Sequence, residues 1–457
     1  MIALTLAEIA RITGGEVHGD PVLLVDGAAY VDNRSPVERG LFVAIVGERV
    51  DGHVYADGAH AVLGSRPTAA PTVVVPDPTV ALGRLSRAVV DRLDATVLAL
   101  TGSQGKTSTK DLLAHVLGST GPTVATAANN NNELGVPLTV LRADLGTERL
   151  VLEMCARGIG HIAYLCDLAP PTIAAVLNVG TAHIGEFGGR EASAAAKGEI
   201  VEALPAHGTA VLNADDPLVA AMAPRTSASV VTFGVAGDVT WRDVRLDDLG
   251  RASFELGAGG AWVPVALRQT GAHQVGNAAA AATMAMAAGL TLDEVGAALS
   301  VAEAASRWRM ELTERADRLL VPNDSYTATP ASTRAAIEAL ATLGARRAGR
   351  TVAVLGEMKE LGAEAAESHR EVGRAAAAAG IDVVVAVGAG AEAIAEGARS
   401  GSGEVFLTAG RDDALAWVRK NASAADVVLV KASRAAALEW VAEQLLTDTR
   451  GDGGHTG

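Results

Sequence analysis

Residues 97–110 read VLALTGSQGKTSTK, and no other stretch restricts the fold of this chain as tightly. An apolar, β-branched run stops at Thr101, two glycines follow at 102 and 105, and Lys106 and Thr107 open a segment with helical spacing. A strand that feeds a helix through a glycine-rich loop turns backbone N–H groups and the positive helix end toward one point. Lysine there can span the β- and γ-phosphates of a nucleotide, and the adjacent hydroxyl can ligate Mg²⁺. The strict spacing GxxxxGK[ST] is not met, because Leu100 stands where the first glycine would fall. The bland reading is a glycine-rich strand-to-helix turn with an exposed lysine. Strand, loop and helix all fall where phosphate binding needs them, which favours the nucleotide.

Around this segment strand-like and helical runs alternate, the signature of wound, mainly parallel sheets. The chain has 457 residues, enough for about three domains of ~150 residues. The boundaries read from the pattern are 1–80, a small α/β module opened by a helix that Thr5 can cap; 81–308, a central nucleotide-binding block; 309–448, a second α/β block; and a polar, glycine-rich tail at 449–457, expected to be disordered. A helix is expected over 80–93, a more polar β insert after about 227, and an alanine-rich helix around 277–289.

Composition narrows the partners. Lys+Arg 38 against Asp+Glu 53 leaves a net charge of −15, the wrong sign for capture of nucleic acid or anionic membrane through bulk charge. Two cysteines and no CxxC exclude a disulfide framework and a zinc ribbon. The N-terminus lacks the pattern of a signal peptide and no apolar run reaches membrane length, so a cytoplasmic protein is expected.

A nucleoside triphosphate needs a metal, and Mg²⁺ takes oxygen ligands. LVLEM (150–154) is an apolar strand ending in Glu153, placed to ligate a metal from a neighbouring strand; the bland reading is a solvated strand-end carboxylate. The run AAVLNVGTAH repeats the geometry and ends in His183, a type of residue that more often serves structure. Lys197, in AAAKGEI, reads by itself as a helix-surface lysine.

The segments in series carry a resemblance. TGSQGKTSTK, NNNELGVPLTVLR, LEMCARGIGHIAYL, NVGTAHIGEFG, AKGEI, LNADDP, GAHQVGN, SRWRM, NDSYTATPAS, LGEMKELG and LVKASR keep one order along nearly the whole chain. In this the sequence resembles the Mur ligases, and among them the branch that joins D-Ala-D-Ala to a UDP-N-acetylmuramoyl-tripeptide in peptidoglycan precursor synthesis. The resemblance implies three α/β domains: a UDP-substrate module, a central P-loop ATPase and a C-terminal Rossmann-like domain. It implies ATP, Mg²⁺ (two ions) and CO₂ held as a carbamate on Lys197, in a monomeric enzyme with no nucleic-acid partner. It also implies residue roles. Lys106, Glu153, His183, Lys197 and Arg307 would be catalytic; Thr107, Glu153, His183 and Lys197 would surround metal. Gly102, Ser103, Gln104, Gly105, Lys106, Thr107, Ser108, His273, Asn277, Arg307 and Asp324 would bind the nucleotide. Arg34, Asn129, Asn131, Asn132 and Glu133 would face the muramoyl substrate.

Some positions depart from the family pattern. Cys155, Ala128 and Ala432 stand where glycine is usual, Thr327 and Thr329 where asparagine is usual, and Asn33 where serine is usual. These departures admit an alternative, a diverged ligase with another acceptor or donor in a depsipeptide or specialised peptide pathway. A third reading, a non-catalytic nucleotide-binding scaffold, leaves the retained Lys197 without a purpose. A P-loop kinase or GTPase leaves the first 80 residues and the third block unexplained.

Overall fold

A computed structural model describes residues 1–47, 50–180 and 189–447. The described residues form a mixed α/β protein with sheets of five, nine and six strands and a separate two-stranded pair. The first sheet runs Glu16–His18, Thr72–Val74, Ala61–Gly64, Leu41–Val43, Ala29–Tyr30, with only the first pairing antiparallel. The opening helix Leu6–Thr13 starts where expected: Thr5 and Glu8 form a reciprocal capping box that satisfies two otherwise unpaired amides.

The helix expected over 80–93 spans Pro78–Val90, begun by Asp77, whose carboxylate accepts the N–H groups of Thr79 and Val80, with proline in the first turn. It buries Leu82, Leu85 and Val89 in a cluster that also holds Leu6 and Leu63 of the first block and Val97, Leu150 and Leu152 of the second. One apolar core therefore joins the N-terminal module to a face of the central sheet.

In the central sheet the strand Thr96–Thr101 lies between Arg149–Glu153 and Ile173–Val176, parallel to both. Its side chains alternate between two cores, Val97 and Ala99 on one face, Leu98 and Leu100 on the other, as a strand buried on both sides requires. Its neighbours lead away in opposite directions, so the carboxyl end of Thr96–Thr101 opens at the switch point where α/β sheets hold ligands. The polar insert supplies the antiparallel strands Val239–Leu246, Arg251–Ala258 and Ala261–Thr270 at one edge. The alanine-rich helix Gln274–Ala287 buries Ala278 through Ala282 beside Leu112, Leu113 and Val116 of the helix Lys106–Gly118, where small side chains permit close approach.

The third sheet runs Glu311–Glu314, Leu320–Asn323, Val427–Lys431, Thr351–Gly356, Val383–Val387, Glu404–Thr408, antiparallel only at the first pair. Ala432 is fully buried, and a Cβ added to Gly356 would lie 2.7 Å from its methyl. The side chain gained at 432 thus occupies space left by a glycine on the next strand. Among the described residues no helix is long and apolar enough to cross a membrane. The tail at 449–457 lies outside the described residues.

Candidate active site

The helix Lys106–Gly118 begins at Gly105, which has φ 77° and no side-chain cap. A Cβ at Gly105 would stand 2.4 Å from Asn277 Oδ1, so both backbone angle and close approach require glycine. An α-helix leaves its first-turn N–H groups without internal partners, and among the described residues no side chain takes them. Lys106 Nζ folds back to donate to the Gly102 carbonyl at 2.7 Å. Ser103 and Gln104 differ from the expectation of inward-facing amides: both N–H groups donate to Asn178 Oδ1, each at 3.0 Å.

The carboxyl end of the neighbouring strand brings in Glu153. Thr107 Oγ1 donates to its Oε2 at 3.0 Å and Asn131 Nδ2 to its Oε1 at 2.8 Å, while its own N–H donates to Thr126 Oγ1 at 3.0 Å. Glu153 is buried, and among the described residues no lysine or arginine pairs with it. An anion enclosed by neutral donors suits a cation. No group of three or more His, Cys, Asp or Glu is placed to hold a metal among the described residues. That donor set suits Mg²⁺, which takes one or two protein oxygens and completes its shell with water and phosphate.

Lys197 is buried on the helix Arg190–Glu202, with Nζ donating to Ser193 Oγ at 2.7 Å. Burial, reinforced by the Lys106 charge, pushes its ammonium down to about 8. His183 lies outside the described residues.

The loop Ser103–Ser108, Asn131 and Glu153 face a cavity of about 760 Å³ whose opposite wall comes from the third sheet. Asp324 and Lys431 meet there at 2.5 Å, and Lys431 Nζ also donates to the Thr327 carbonyl at 2.9 Å. Arg309 stacks over the Tyr326 ring at 4.4 Å. The segment between the helix Leu292–Val301 and this sheet is held in left-handed backbone at Trp308 (φ 60°) and Met310 (φ 51°). Asp324 Oδ1 accepts the Met310 N–H at 3.1 Å, so the residue that meets Lys431 also fixes this crossing.

Residues 100–285 match the family description Mur ligase middle domain, and residues 308–434 match Mur ligase, glutamate ligase domain. The chain is 44% identical to the UDP-N-acetylmuramoyl-tripeptide–D-alanyl-D-alanine ligase of Mycobacterium tuberculosis, over 98% of each protein. It is 37% identical to the Escherichia coli enzyme of that name, over 97% of this chain and 99% of the relative. The chain belongs to the Mur ligase family. Its fold superposes on MurF from Acinetobacter baumannii with a TM-score of 0.87 at 31% identity, covering 98% of this chain and 99% of that one. MurF from Thermotoga maritima, solved in complex with ADP, gives 0.79 at 32% identity, covering 92% and 97%.

In this Mur ligase the cavity gathers Ser103 through Ser108, Asn129, Asn131, Glu153, His273, Asn277 and Asp324. Gly102 shapes the loop from behind, where a Cβ would meet Leu177 Cβ at 2.9 Å. Lys197 is not on the wall but its charge couples to Lys106. Asn132 does local work, its Oδ1 accepting the Gly135 N–H at 2.9 Å at the start of the helix Gly135–Val140. Glu133 holds His161 at 3.1 Å. Arg34 is exposed and paired with Asp32 at 2.6 Å, which pulls that carboxyl down to about 2. Arg307 stands apart from the cavity, with Nη2 on Glu443 Oε1 at 3.4 Å, whereas Arg309 lines it.

Asn178, Arg309, Tyr326 and Lys431 also stand on the cavity wall, though the sequence pattern did not single them out. Lys431 left one trace, a lysine closing an otherwise apolar strand. Asn178 left none beyond its place after a strand.

Some of the departures have local accounts. Thr329 caps the helix Pro330–Gly344 in a reciprocal pair with Ser332. Cys155 is not in left-handed backbone; its N–H donates to the Asn131 carbonyl at 2.9 Å and it lines the cavity. Ala128, by contrast, has φ 49°, the region where glycine is favoured. Nothing in the structure explains Asn33.

Proposed function

We propose that this chain is the ATP-dependent ligase that joins D-Ala-D-Ala to the terminal carboxylate of a UDP-N-acetylmuramoyl-tripeptide, in the cytoplasm, for peptidoglycan precursor synthesis. The observation that carries this reading is the cavity between an uncapped phosphate loop and the third sheet, in a chain 44% identical over its length to ligases of that name.

The carboxylate attacks the γ-phosphorus of ATP, forming an acyl phosphate and releasing ADP. The dipeptide amine then attacks the acyl carbon, forming the amide and expelling phosphate. An unactivated carboxylate is a poor acceptor for an amine, and ATP supplies the leaving group. The protein positions the reactants and neutralises charge. The first-turn amides of Lys106–Gly118 and the Lys106 ammonium would hold the phosphates, and His273 and Asn277 would flank the nucleotide. Thr107 and Glu153 would hold Mg²⁺, which supplies charge neutralisation on the phosphates. Arg309 and Lys431 bring positive charge from the opposite wall.

The division at residues 80 and 308 assigns the UDP-muramoyl substrate to the first sheet, ATP to the second and closure over the nucleotide to the third. A carbamate on Lys197 fits a buried amine whose ammonium is already disfavoured, since CO₂ adds to the neutral form. It would turn a cation that repels Mg²⁺ into an oxygen ligand or orienting anion. The resemblance would add His183, which lies outside the described residues, to the metal's surroundings, and Arg307 would have to leave Glu443 to reach phosphate.

The test is phosphate release from ATP with the UDP-muramoyl-tripeptide and a panel of acceptors. D-Ala-D-Ala should be much the best. Preference for a depsipeptide or another dipeptide would transfer the assignment to a diverged ligase, and nucleotide binding without acceptor-dependent release would make the chain a scaffold.

A further inference from the structure

Asn178 lies on the loop that leaves the strand Ile173–Val176 and faces the phosphate loop across the mouth of the central sheet. Its Oδ1 accepts two successive N–H groups, from Ser103 and Gln104, each at 3.0 Å. Its Nδ2 returns a hydrogen bond to the Gln104 carbonyl at 3.1 Å, and its own backbone carbonyl takes the Ser103 N–H a second time at 3.1 Å. Ser103 answers through its hydroxyl, which accepts the Gly180 N–H at 2.9 Å.

The two loops are built to touch. A Cβ at Gly102 would lie 2.9 Å from Leu177 Cβ, and one at Gly180 would lie 3.3 Å from Ser103 Cβ. The Asn178 loop is itself anchored, by Asn213 Nδ2 on the Leu177 carbonyl at 2.8 Å and by Asp216 Oδ2 on the Val179 N–H at 2.7 Å. An asparagine is the side chain that meets this demand. It accepts twice on one atom and donates on another, which aspartate, serine and leucine cannot all do at that length.

We infer that Asn178 is the positioning residue of the phosphate loop. It engages the amides of Ser103 and Gln104, so these two do not have to be recruited by phosphate, and it fixes the loop so that the amides of Lys106, Thr107 and Ser108 converge without a ligand. Nucleotide affinity then depends on order imposed before binding, because a loop already held in its bound shape loses less entropy when ligand arrives. The inference rests on the nucleotide reading given above and adds to it the residue that sets the loop.

The test uses the full-length chain and three variants. Asn178→Leu keeps the volume and removes every polar contact, Asn178→Asp keeps the double acceptor, and Asn178→Ser is the gentler substitution should the leucine variant fold poorly. Amide hydrogen exchange of Ser103 and Gln104 is read without nucleotide, and ADP affinity is read by calorimetry with Mg²⁺. In the leucine variant, exchange at these two amides should quicken by about tenfold and ADP should bind about tenfold more weakly, the loss expected from removing such bonds. The KM for the UDP-muramoyl substrate should stay within about twofold, because that site keeps its contacts. The aspartate variant should retain most of the protection. Wild-type protein that binds no ADP overturns the nucleotide reading. Wild type that binds ADP beside a leucine or serine variant with unchanged exchange and affinity overturns only the role given to Asn178.

Discussion

Buried Lys431 and partly buried Asp324 form an ion pair on the cavity wall: Lys431 Nζ lies 2.5 Å from Asp324 Oδ2 at the end of the strand Val427–Lys431. The lysine side chain is 1% exposed and its ammonium also donates to the Thr327 carbonyl at 2.9 Å, so the pair ties the strand end to the loop that carries Asp324. Removing one member of such a pair leaves the other charge buried and alone, which costs about 3–5 kcal/mol. Lys431→Met should therefore lower the unfolding midpoint strongly, and adding Asp324→Asn should recover part of the loss. Additive losses in this double-mutant cycle, read by urea unfolding, would show that the two side chains do not act as a pair.

Thr107 and Glu153 make the second prediction. Their 3.0 Å contact is the place where a hard cation would insert between hydroxyl and carboxylate. Glu153→Gln and Thr107→Ala should each reduce kcat by about 100-fold or more while raising the Mg²⁺ concentration for half-maximal activity. A Mg²⁺ dependence unchanged in both would remove the pair from the metal site.

Lys197 gives a pH prediction. Its folded-state value is near 8, below the ordinary 10.5, so between those values the unfolded chain binds the extra proton. Stability then rises with pH across that interval, and below about 8 the cost of the buried ammonium is fully present. With CO₂ and nucleotide excluded, wild type should gain on Lys197→Met as pH is raised from about 8 to about 10. A difference independent of pH would mean that Lys197 keeps its proton as readily folded as unfolded. In the ligation assay the methionine variant should be inactive while still folded.

Ala128 should improve as glycine. At φ 49° an alanine bears a steric penalty that glycine avoids, partly offset by glycine's greater freedom in the unfolded chain. Ala128→Gly is expected to add about 0.5–1 kcal/mol to unfolding stability. A lowered denaturation midpoint would contradict the strained reading of this turn.

Local chemistry made much of the fold legible. The helix Leu6–Thr13 announced itself by a threonine and glutamate at capping spacing, and the phosphate loop by glycines between an apolar run and a helix. That Lys106, Thr107 and Glu153 line one cavity was legible because each sits at the carboxyl end of a strand or the amino end of a helix, where the pattern of the chain points the side chain. The places of Asn178, Arg309 and Lys431 were not, because their partners lie 74, 17 and 107 residues away. Arg307 and Arg309 illustrate the limit: two arginines in SRWRM, one bound to Glu443 outside the cavity and one stacked on Tyr326 inside it.

By itself, then, the sequence determined the α/β alternation, the glycine loop between strand and helix and the ligase family, since each is written in short-range spacing or in the order of motifs. Tertiary structure alone decided that the first block shares a core with the central sheet, that Asn178 holds two amides of the phosphate loop, and that a lysine from the third sheet closes the cavity. The reason is physical: periodicity records which face of an element is buried, while hydrogen bonds and ion pairs across elements depend on how the faces are brought together.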